Sequence, residues 1–140
     1  MRTSTRYLDG KSFETLIRGH RIVSDQPTSE GGADAGVTPP ELLLASLGAC
    51  AGHYAAEYLR ARSLALAGLA IYVSADKATQ PARLSSFRVD LDCPAVGDKD
   101  RLGLVRAVRA CLIHNTLTTS PAIHVSVFAA TPEPSLALTR

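Results

Sequence analysis

One segment constrains the fold more than any other: an apolar stretch over residues 42–56 that follows an explicit helix start. Thr38 is a favoured N-cap residue, proline follows it, and Glu41 stands three residues after the cap. This capping box predicts a long helix from about residue 39. Apolar residues recur every three or four positions and share one face, which consists of Leu43, Leu47, Cys50, Tyr54 and Tyr58. The neighbouring faces are also largely apolar, so we expect a central helix that is covered on several sides.

Short extended segments precede this helix. The Asp9-Gly10 pair predicts a tight turn between strands at residues 6–8 and 13–17, and a third strand is predicted at residues 21–24. Residues 25–37 are rich in Pro, Gly, Ser and Asp, which indicates a loop.

The second half of the chain changes character. Strands are predicted at residues 69–75 and 87–93, joined as a long hairpin around Gln80-Pro81, and a last strand at residues 122–129. A second helix is predicted from about residue 98 to 112. Its inward stripe consists of Leu104, Val105, Val108, Cys111 and Leu112, and its outward face carries Arg101, Arg106 and Arg109. The order of strands, helix, hairpin, helix and strand predicts an α+β fold in a single domain spanning residues 1–140.

Composition excludes several classes of function. The formal net charge is +2, so there is no electrostatic case for a nucleic acid or an anionic membrane as partner. The N-terminus lacks a signal-like apolar stretch, and no segment reaches the roughly 20 apolar residues of a membrane span. Three cysteines are an odd number and fit a reducing compartment, so a cytoplasmic protein is expected. Gly31-Gly32 lacks the helix and lysine of a phosphate loop, and we expect no cofactor.

The two cysteines of the predicted helices are the main candidates for chemistry. Cys50 and Cys111 each lie in an apolar helical run, and each is followed three residues later by a histidine. A thiolate that attacks a peroxide becomes a sulfenic acid, which a second nearby thiol converts to a disulfide. Two packed helices with cysteines on their inner stripes could bring the thiols close enough. The other interpretation is that such cysteines are unreactive and only pack in the core as small apolar side chains, which is also our expectation for Cys93 at a strand end.

The residues alone leave two questions about the cysteines open: whether they bind a metal ion, and which basic side chain lies beside the reactive thiol. One concerns metal, because a tetrahedral zinc site could be built from Cys50, His53, Cys111 and His114. The other concerns the positive neighbour that lowers the pKa of a reactive thiol. Arg18 and Arg21, which flank a short break in the early strands, are the candidates for this cation.

The chain resembles the OsmC/Ohr family of osmotically inducible and organic hydroperoxide resistance proteins. The resemblance is carried by Gly31-Gly32, by the segment TPPELLLASLGAC over residues 38–50, and by CLIHNTL over residues 111–117. It implies an intertwined homodimer in which antiparallel sheets wrap the long central helices, with active sites at the dimer interface. It further implies a peroxidase that reduces organic hydroperoxides, with Cys50 as the peroxidatic thiol and Cys111 as the resolving thiol. An external dithiol would reduce the disulfide.

The chain departs from the peroxidase pattern at the start of the long helix. Pro40 occupies the position where the family's peroxidases carry a glutamate that pairs with the catalytic arginine, and Glu41 comes one residue later. The sequence is therefore nearer to the OsmC-like branch, and the arginine is assigned to Arg18. The alternative function is a non-enzymatic protein of the same fold that binds an apolar ligand.

Overall fold

The computed structural model describes residues 1–128. It consists of five strands and three helices, with a single 3₁₀ turn at Thr28–Glu30. The strands are β1 (Ser4–Asp9), β2 (Ser12–Ile17), β3 (His20–Ser24), β4 (Ala70–Thr79) and β5 (Ala82–Asp92). The helices are α1 (Pro39–Arg60), α2 (Asp98–Arg109) and α3 (Leu112–Thr118). The predicted α+β class with antiparallel sheets is confirmed.

Strands β1, β2 and β3 form an antiparallel sheet whose strands pack chiefly on one another. The Asp9-Gly10 turn forms as predicted, and the Asp9 carboxylate accepts a hydrogen bond from the Gly10 N–H at 2.8 Å. At the next turn Arg18 and Gly19 both have positive φ, at 49° and 85°. Two left-handed residues in succession suit the twist of a two-residue hairpin. Arg18 therefore lies at an exposed hairpin tip.

A buried carboxylate organises the predicted loop at residues 25–37. Asp25 is 1% exposed and accepts hydrogen bonds from the backbone N–H groups of Gln26, Ala33 and Ala35 at 2.8, 3.0 and 3.1 Å. The Ala35 N–H is the largest influence that lowers the Asp25 pKa, because these donors favour the charged form. Gly32 is required at this site, since a Cβ there would lie 1.9 Å from the Gln26 carbonyl oxygen.

The predicted capping box opens α1. The Thr38 hydroxyl accepts the Glu41 N–H at 3.4 Å, and the Glu41 carboxylate accepts the Thr38 N–H at 2.7 Å. The second bond makes the carboxylate the favoured form and lowers the pKa of Glu41. Such a cap contributes about 0.5–2 kcal/mol to helix stability.

The buried face of α1 differs from the predicted one. The fully buried residues recur every four positions and are Leu47, Ala51, Ala55 and Leu59. Leu47 belongs to both sets, whereas Leu43 is exposed and Cys50, Tyr54 and Tyr58 are half-buried. The reason is that α2 and the β4–β5 hairpin cover one side of α1 in this chain, and the remaining apolar faces stay open.

Small residues let α1 lie close to the β4–β5 hairpin. A Cβ at Gly48 would lie 3.2 Å from a Val73 methyl, and one at Gly52 would lie 3.4 Å from Ile71. The hairpin is longer than predicted and turns at Gln80–Pro81, where the loop was expected. Its inward residues and α2 complete a core centred on Ala51, Ala55, Leu104 and Val108.

The contact between α1 and α2 is fixed by one tyrosine. The Tyr58 hydroxyl donates a hydrogen bond to the Asp100 carbonyl oxygen at 3.0 Å. Gly103 leaves room for it, since a Cβ at that position would lie 2.1 Å from the hydroxyl oxygen. The Arg62 guanidinium lies 3.8 Å from the centre of the Tyr58 ring and pairs with the Asp100 carboxylate at 3.3 Å.

Two predictions about the second half are corrected. The second helix ends at Arg109 rather than near residue 112, because Cys111 adopts an extended conformation and begins α3. Val105 and Leu112, predicted to face inward, are exposed. Residues 122–128 form no strand within the described chain, since no neighbouring strand pairs with them, and Ala129 lies outside the described residues.

No helix within residues 1–128 has both the length and the apolar character required to cross a membrane.

Candidate active site

The structure brings two of the predicted site residues together. Helix α3 packs on α1, and the Cys50 thiol lies near enough to Cys111 to raise the pKa of the Cys111 thiol. We call these two residues the thiol pair. Both cysteines are in the free, reduced form; Cys50 is half-buried and Cys111 is fully buried. A disulfide between Cys50 and Cys111 would join α1 to the start of α3, and these two helices are already in contact.

The local structure at Cys111 was not foreseen from the sequence. Instead of lying within a helix, Cys111 is the N-cap of α3, and its Sγ accepts the His114 N–H at 3.3 Å. Serine, threonine, aspartate and asparagine usually fill this role, and none of them stands at the break. The signal was therefore weak, since it required a thiol to be interpreted as a substitute for a capping hydroxyl.

The environment makes the two thiols unequal. Burial is the largest cause that raises the pKa of Cys111, and the Cys50 thiol and any negative charge on it raise this pKa further. The N–H groups of His114 and Ile113 act in the opposite direction. Because the thiolate is the nucleophile, a fully buried thiol with a raised pKa is poorly suited to the first attack on a substrate, and this excludes Cys111 from that task.

A cavity of about 280 Å³ lies next to the part of α1 that carries Cys50, and we call it the thiol cavity, although neither cysteine is among its lining residues. Leu47 and Ala51, which bracket Cys50 on α1, line it from one side. The rest of its wall comes from β5, α2 and α3, and consists of Phe87, Val89, Leu91, Val105, Val108, Arg109 and His114. The wall is thus apolar apart from one guanidinium and one imidazole.

Arg109 is the basic residue that sequence reasoning missed at this site. It was predicted to belong to an outward polar face with Arg101 and Arg106, and it is indeed exposed, but it also lines the thiol cavity. The available signal was its position four residues after Val105 on the same helix face.

The structure does not bring Arg18 to the thiol pair within this chain. Arg18 lines an open hollow with Arg2, Thr3, Ser4 and Leu16, all of them in the β1–β3 region. Among the described residues it forms no ion pair. Arg21, the other candidate cation, pairs with Glu14 on the neighbouring strand.

The Glu14 carboxylate is held between two arginines. Its side chain is 4% exposed, and the partners on either side are Arg21 and Arg6, the latter at 2.6 Å. The hydrogen bond from Arg21 is the largest cause that lowers the pKa of Glu14. Arg21 is therefore already neutralised on its own sheet.

The remaining candidates have separate places. Cys93 is half-buried and packs against the core, as expected. His53 is exposed on α1, with its ring edge against Tyr54. Within residues 1–128, no three His, Cys, Asp or Glu side chains form a group that could hold a metal ion. The hypothesis of a zinc site at the two cysteines and two histidines therefore has no support in the geometry.

Comparison with known proteins identifies the sequence family. The sequence model of a family described as OsmC-like protein matches residues 31–126. No curated protein sequence matches the chain.

Solved structures share the fold. A Psychrobacter arcticus protein, assigned to the osmotic stress induced and detoxification response, superposes with a TM-score of 0.74 at 19% identity, covering 81% of this chain and 85% of that one. An OsmC like protein from Mycoplasma pneumoniae gives 0.73 at 19% identity, covering 85% and 87%. An organic hydroperoxide resistance protein OsmC from Legionella pneumophila gives 0.61 at 15% identity, covering 85% and 90%.

Proposed function

The chain belongs to the OsmC-like protein family, and from this premise we propose that it is a thiol-dependent peroxidase acting on organic hydroperoxides. The observation that carries the proposal is the proximity of the Cys50 and Cys111 thiols, together with an apolar cavity that is lined by Leu47 and Ala51, the neighbours of Cys50 on α1. A peroxidase cycle needs two thiols that can meet without refolding the protein, and this proximity supports such a cycle.

The proposed cycle assigns one task to each thiol. The Cys50 thiolate attacks the distal oxygen of the hydroperoxide, the O–O bond breaks, and the alkoxide leaves as an alcohol after taking a proton. Cys50 is then a sulfenic acid. Cys111 attacks its sulfur, releases water and closes the disulfide. An external dithiol reopens the disulfide by exchange and is itself oxidised.

The thiol cavity supports an apolar substrate. Its wall carries seven apolar side chains, and its volume of about 280 Å³ suits a small alkyl or aryl group. Hydrogen peroxide gains nothing from such a wall, since it has no apolar surface to bury. We therefore expect the enzyme to prefer organic hydroperoxides over hydrogen peroxide.

We also propose that the working unit is a homodimer. Two surfaces support this: the open apolar faces of α1, which include Leu43, Ala45 and Ala49, and the exposed extended segment at residues 122–128. In that segment four apolar side chains are between 84% and 91% exposed: Ile123, Val125, Val127 and Phe128. Large apolar patches of this kind mark interaction sites. In a dimer, Arg18 of one protomer would reach the thiol pair of its partner and stabilise the Cys50 thiolate.

The test is a thiol count on the reduced protein after cumene hydroperoxide is added. Two thiols per chain should disappear in the wild type, and Cys93 should remain free as an internal control. Cys50→Ser should lose none rapidly, whereas Cys111→Ser should form a sulfenic acid that persists. Unchanged thiols in the wild type would overturn the proposal.

A second candidate is a non-enzymatic protein that binds an apolar ligand in the thiol cavity. It is favoured by Pro40, which stands where the family's peroxidases carry a glutamate. The next residue, Glu41, is engaged in the capping box and forms no ion pair with an arginine within residues 1–128. Under a supplied dithiol, stoichiometric thiol oxidation without turnover would favour this candidate, and sustained hydroperoxide consumption would exclude it.

A further inference from the structure

His114 occupies a place at the thiol pair that the proposed cycle has not yet used. Its backbone N–H donates to the Cys111 Sγ at 3.3 Å, so the residue is anchored to one reacting sulfur. Its side chain lines the thiol cavity together with Leu47 and Ala51, which stand three residues before and one residue after Cys50. The imidazole therefore shares a cavity wall with the neighbours of Cys50 on α1, while the backbone of the same residue contacts the Cys111 sulfur.

One atom of this imidazole has no structural explanation. The Nδ1 of His114 is buried and has no hydrogen-bond partner among the residues that the structure describes. Leaving such a polar atom unsatisfied is unfavourable, so a buried nitrogen without a partner requires an explanation. In one neutral tautomer this nitrogen is a free proton acceptor.

We propose that the His114 imidazole is the general base and then the general acid of the resolving step, an assignment that rests on the peroxidase function proposed above. His114 takes the proton of the Cys111 thiol as the Cys111 sulfur attacks the sulfenic sulfur of Cys50. The S–O bond breaks, and the departing hydroxide takes the proton from the imidazolium and leaves as water. The Cys50 sulfur is reduced and the Cys111 sulfur is oxidised, so this step needs no other oxidant.

The need for a base follows from the surroundings of Cys111. This thiol is fully buried, and its pKa is raised both by burial and by Cys50, so it is protonated at neutral pH. Of the described residues that line the thiol cavity, the other polar one is Arg109, whose guanidinium has hydrogen-bond donors only. The remaining lining side chains are apolar. His114 is therefore the lining residue whose side chain offers a nitrogen that can accept a proton.

The experiment separates the two chemical steps in single turnover. Reduced full-length protein is mixed with one equivalent of cumene hydroperoxide, quenched with dimedone at intervals, and analysed by mass spectrometry for sulfenic acid and disulfide. In His114→Asn we expect sulfenic acid at Cys50 to form at the wild-type rate. The disulfide should form about 10²–10⁴-fold more slowly, which is the usual contribution of a general base. The matched control is His53→Asn, since His53 also follows a cysteine by three residues but is exposed.

Two further readouts distinguish proton transfer from packing. Added imidazole should restore disulfide formation in His114→Ala, and in His114→Asn the rate of disulfide formation should rise tenfold per pH unit until Cys111 ionises. His114→Gln is measured in parallel, so that the role of His114 can still be tested if one of the two variants does not fold. Disulfide formation at the wild-type rate in either folded variant would overturn the role of His114. Slowing of both steps alike would overturn it too. If the wild type itself forms no sulfenic acid, the peroxidase proposal fails instead.

Discussion

The His114 N–H and the Cys111 Sγ are joined by a hydrogen bond of 3.3 Å that starts α3 and fixes the second thiol. Serine can accept the same bond through its hydroxyl, whereas alanine cannot. We therefore expect Cys111→Ser to be more stable than Cys111→Ala by about 0.5–2 kcal/mol, the usual contribution of an N-cap. Urea denaturation of the reduced variants measures this difference. Equal stability would show that the thiol is held by packing alone.

The two thiols should also differ in their reaction with an alkylating reagent. Cys111 is buried and its pKa is raised, while Cys50 is half-buried. Iodoacetamide at pH 7.5, an ordinary assay value, should therefore modify Cys50 severalfold faster than Cys111, because the thiolate is the reacting form. Peptide mapping by mass spectrometry follows both sites. Unfolding in urea provides the control, since both cysteines should then react at similar rates; equal rates in the folded protein would contradict the prediction.

Gly103 should be intolerant of a side chain. A Cβ there would lie 2.1 Å from the Tyr58 hydroxyl oxygen, so Gly103→Ala must displace the ring and break its hydrogen bond to Asp100. Overpacking of this kind costs about 1–3 kcal/mol, measured as a loss in the free energy of unfolding. Combining Gly103→Ala with Tyr58→Leu should recover part of the lost stability, since the effects of substitutions at two contacting residues on the free energy of unfolding are not additive. A fully additive double variant would contradict the contact.

Asp25 should make the stability of the protein depend on pH in the acid range. Its pKa is lowered, first by the Ala35 N–H, so its contribution is fully present above the unfolded-state value of about 3.9. The contribution is lost as the pH falls through the lowered folded-state pKa. The thermal midpoint of Asp25→Asn should therefore lie below that of the wild type from pH 5 to 7, and the gap should narrow below about pH 4. Asp34→Asn, an exposed change in the same loop, is the control. A gap that stays constant down to pH 2 would be the contrary result.

The extended segment at residues 122–128 should govern self-association. If it pairs as a strand with a second copy, Ile123, Val125 and Val127 share the face that is covered. Val125→Asp should then weaken the homodimer by tenfold or more, whereas Ser126→Asp, on the opposite face, should have a much smaller effect. Sedimentation velocity over a concentration series provides the measurement. A wild type that sediments as a monomer at every concentration would refute the dimer.

Local features could be predicted from the sequence where a short combination of residues is compatible with only one kind of local structure. Thr38 and Glu41 can satisfy each other only at a helix start, and Asp9-Gly10 fits a turn between strands, so both were predicted correctly. The sequence predicted that the elements carrying Cys50 and Cys111 pack together, whereas it did not predict that Cys111 is the N-cap of α3. The break before α3 was missed because Ala110 and Cys111 carry no glycine or proline signal.

The predictions that failed concern features that are determined by contacts between distant parts of the chain. The apolar faces of α1 could not be ranked from the sequence, because which of them is buried depends on where α2 and β4–β5 pack. The same holds for residues 122–128, whose alternating pattern is strand-like while the partner strand is absent from the described chain. Arg18 is an example. The sequence predicted the break between strands at which it lies, but its distance from the thiols depends on how the β1–β3 sheet is oriented relative to α1.

The exposed extended segment at residues 122–128 also bears on biosynthesis. An unpaired apolar segment that can pair as a strand is a template for aggregation. Since translation is vectorial and earlier parts of a chain fold first, the three hairpins and three helices of residues 1–118 can form before this segment emerges from the ribosome. In the proposed dimer, a nascent chain would therefore offer this segment to a second copy only once the surface around it has folded.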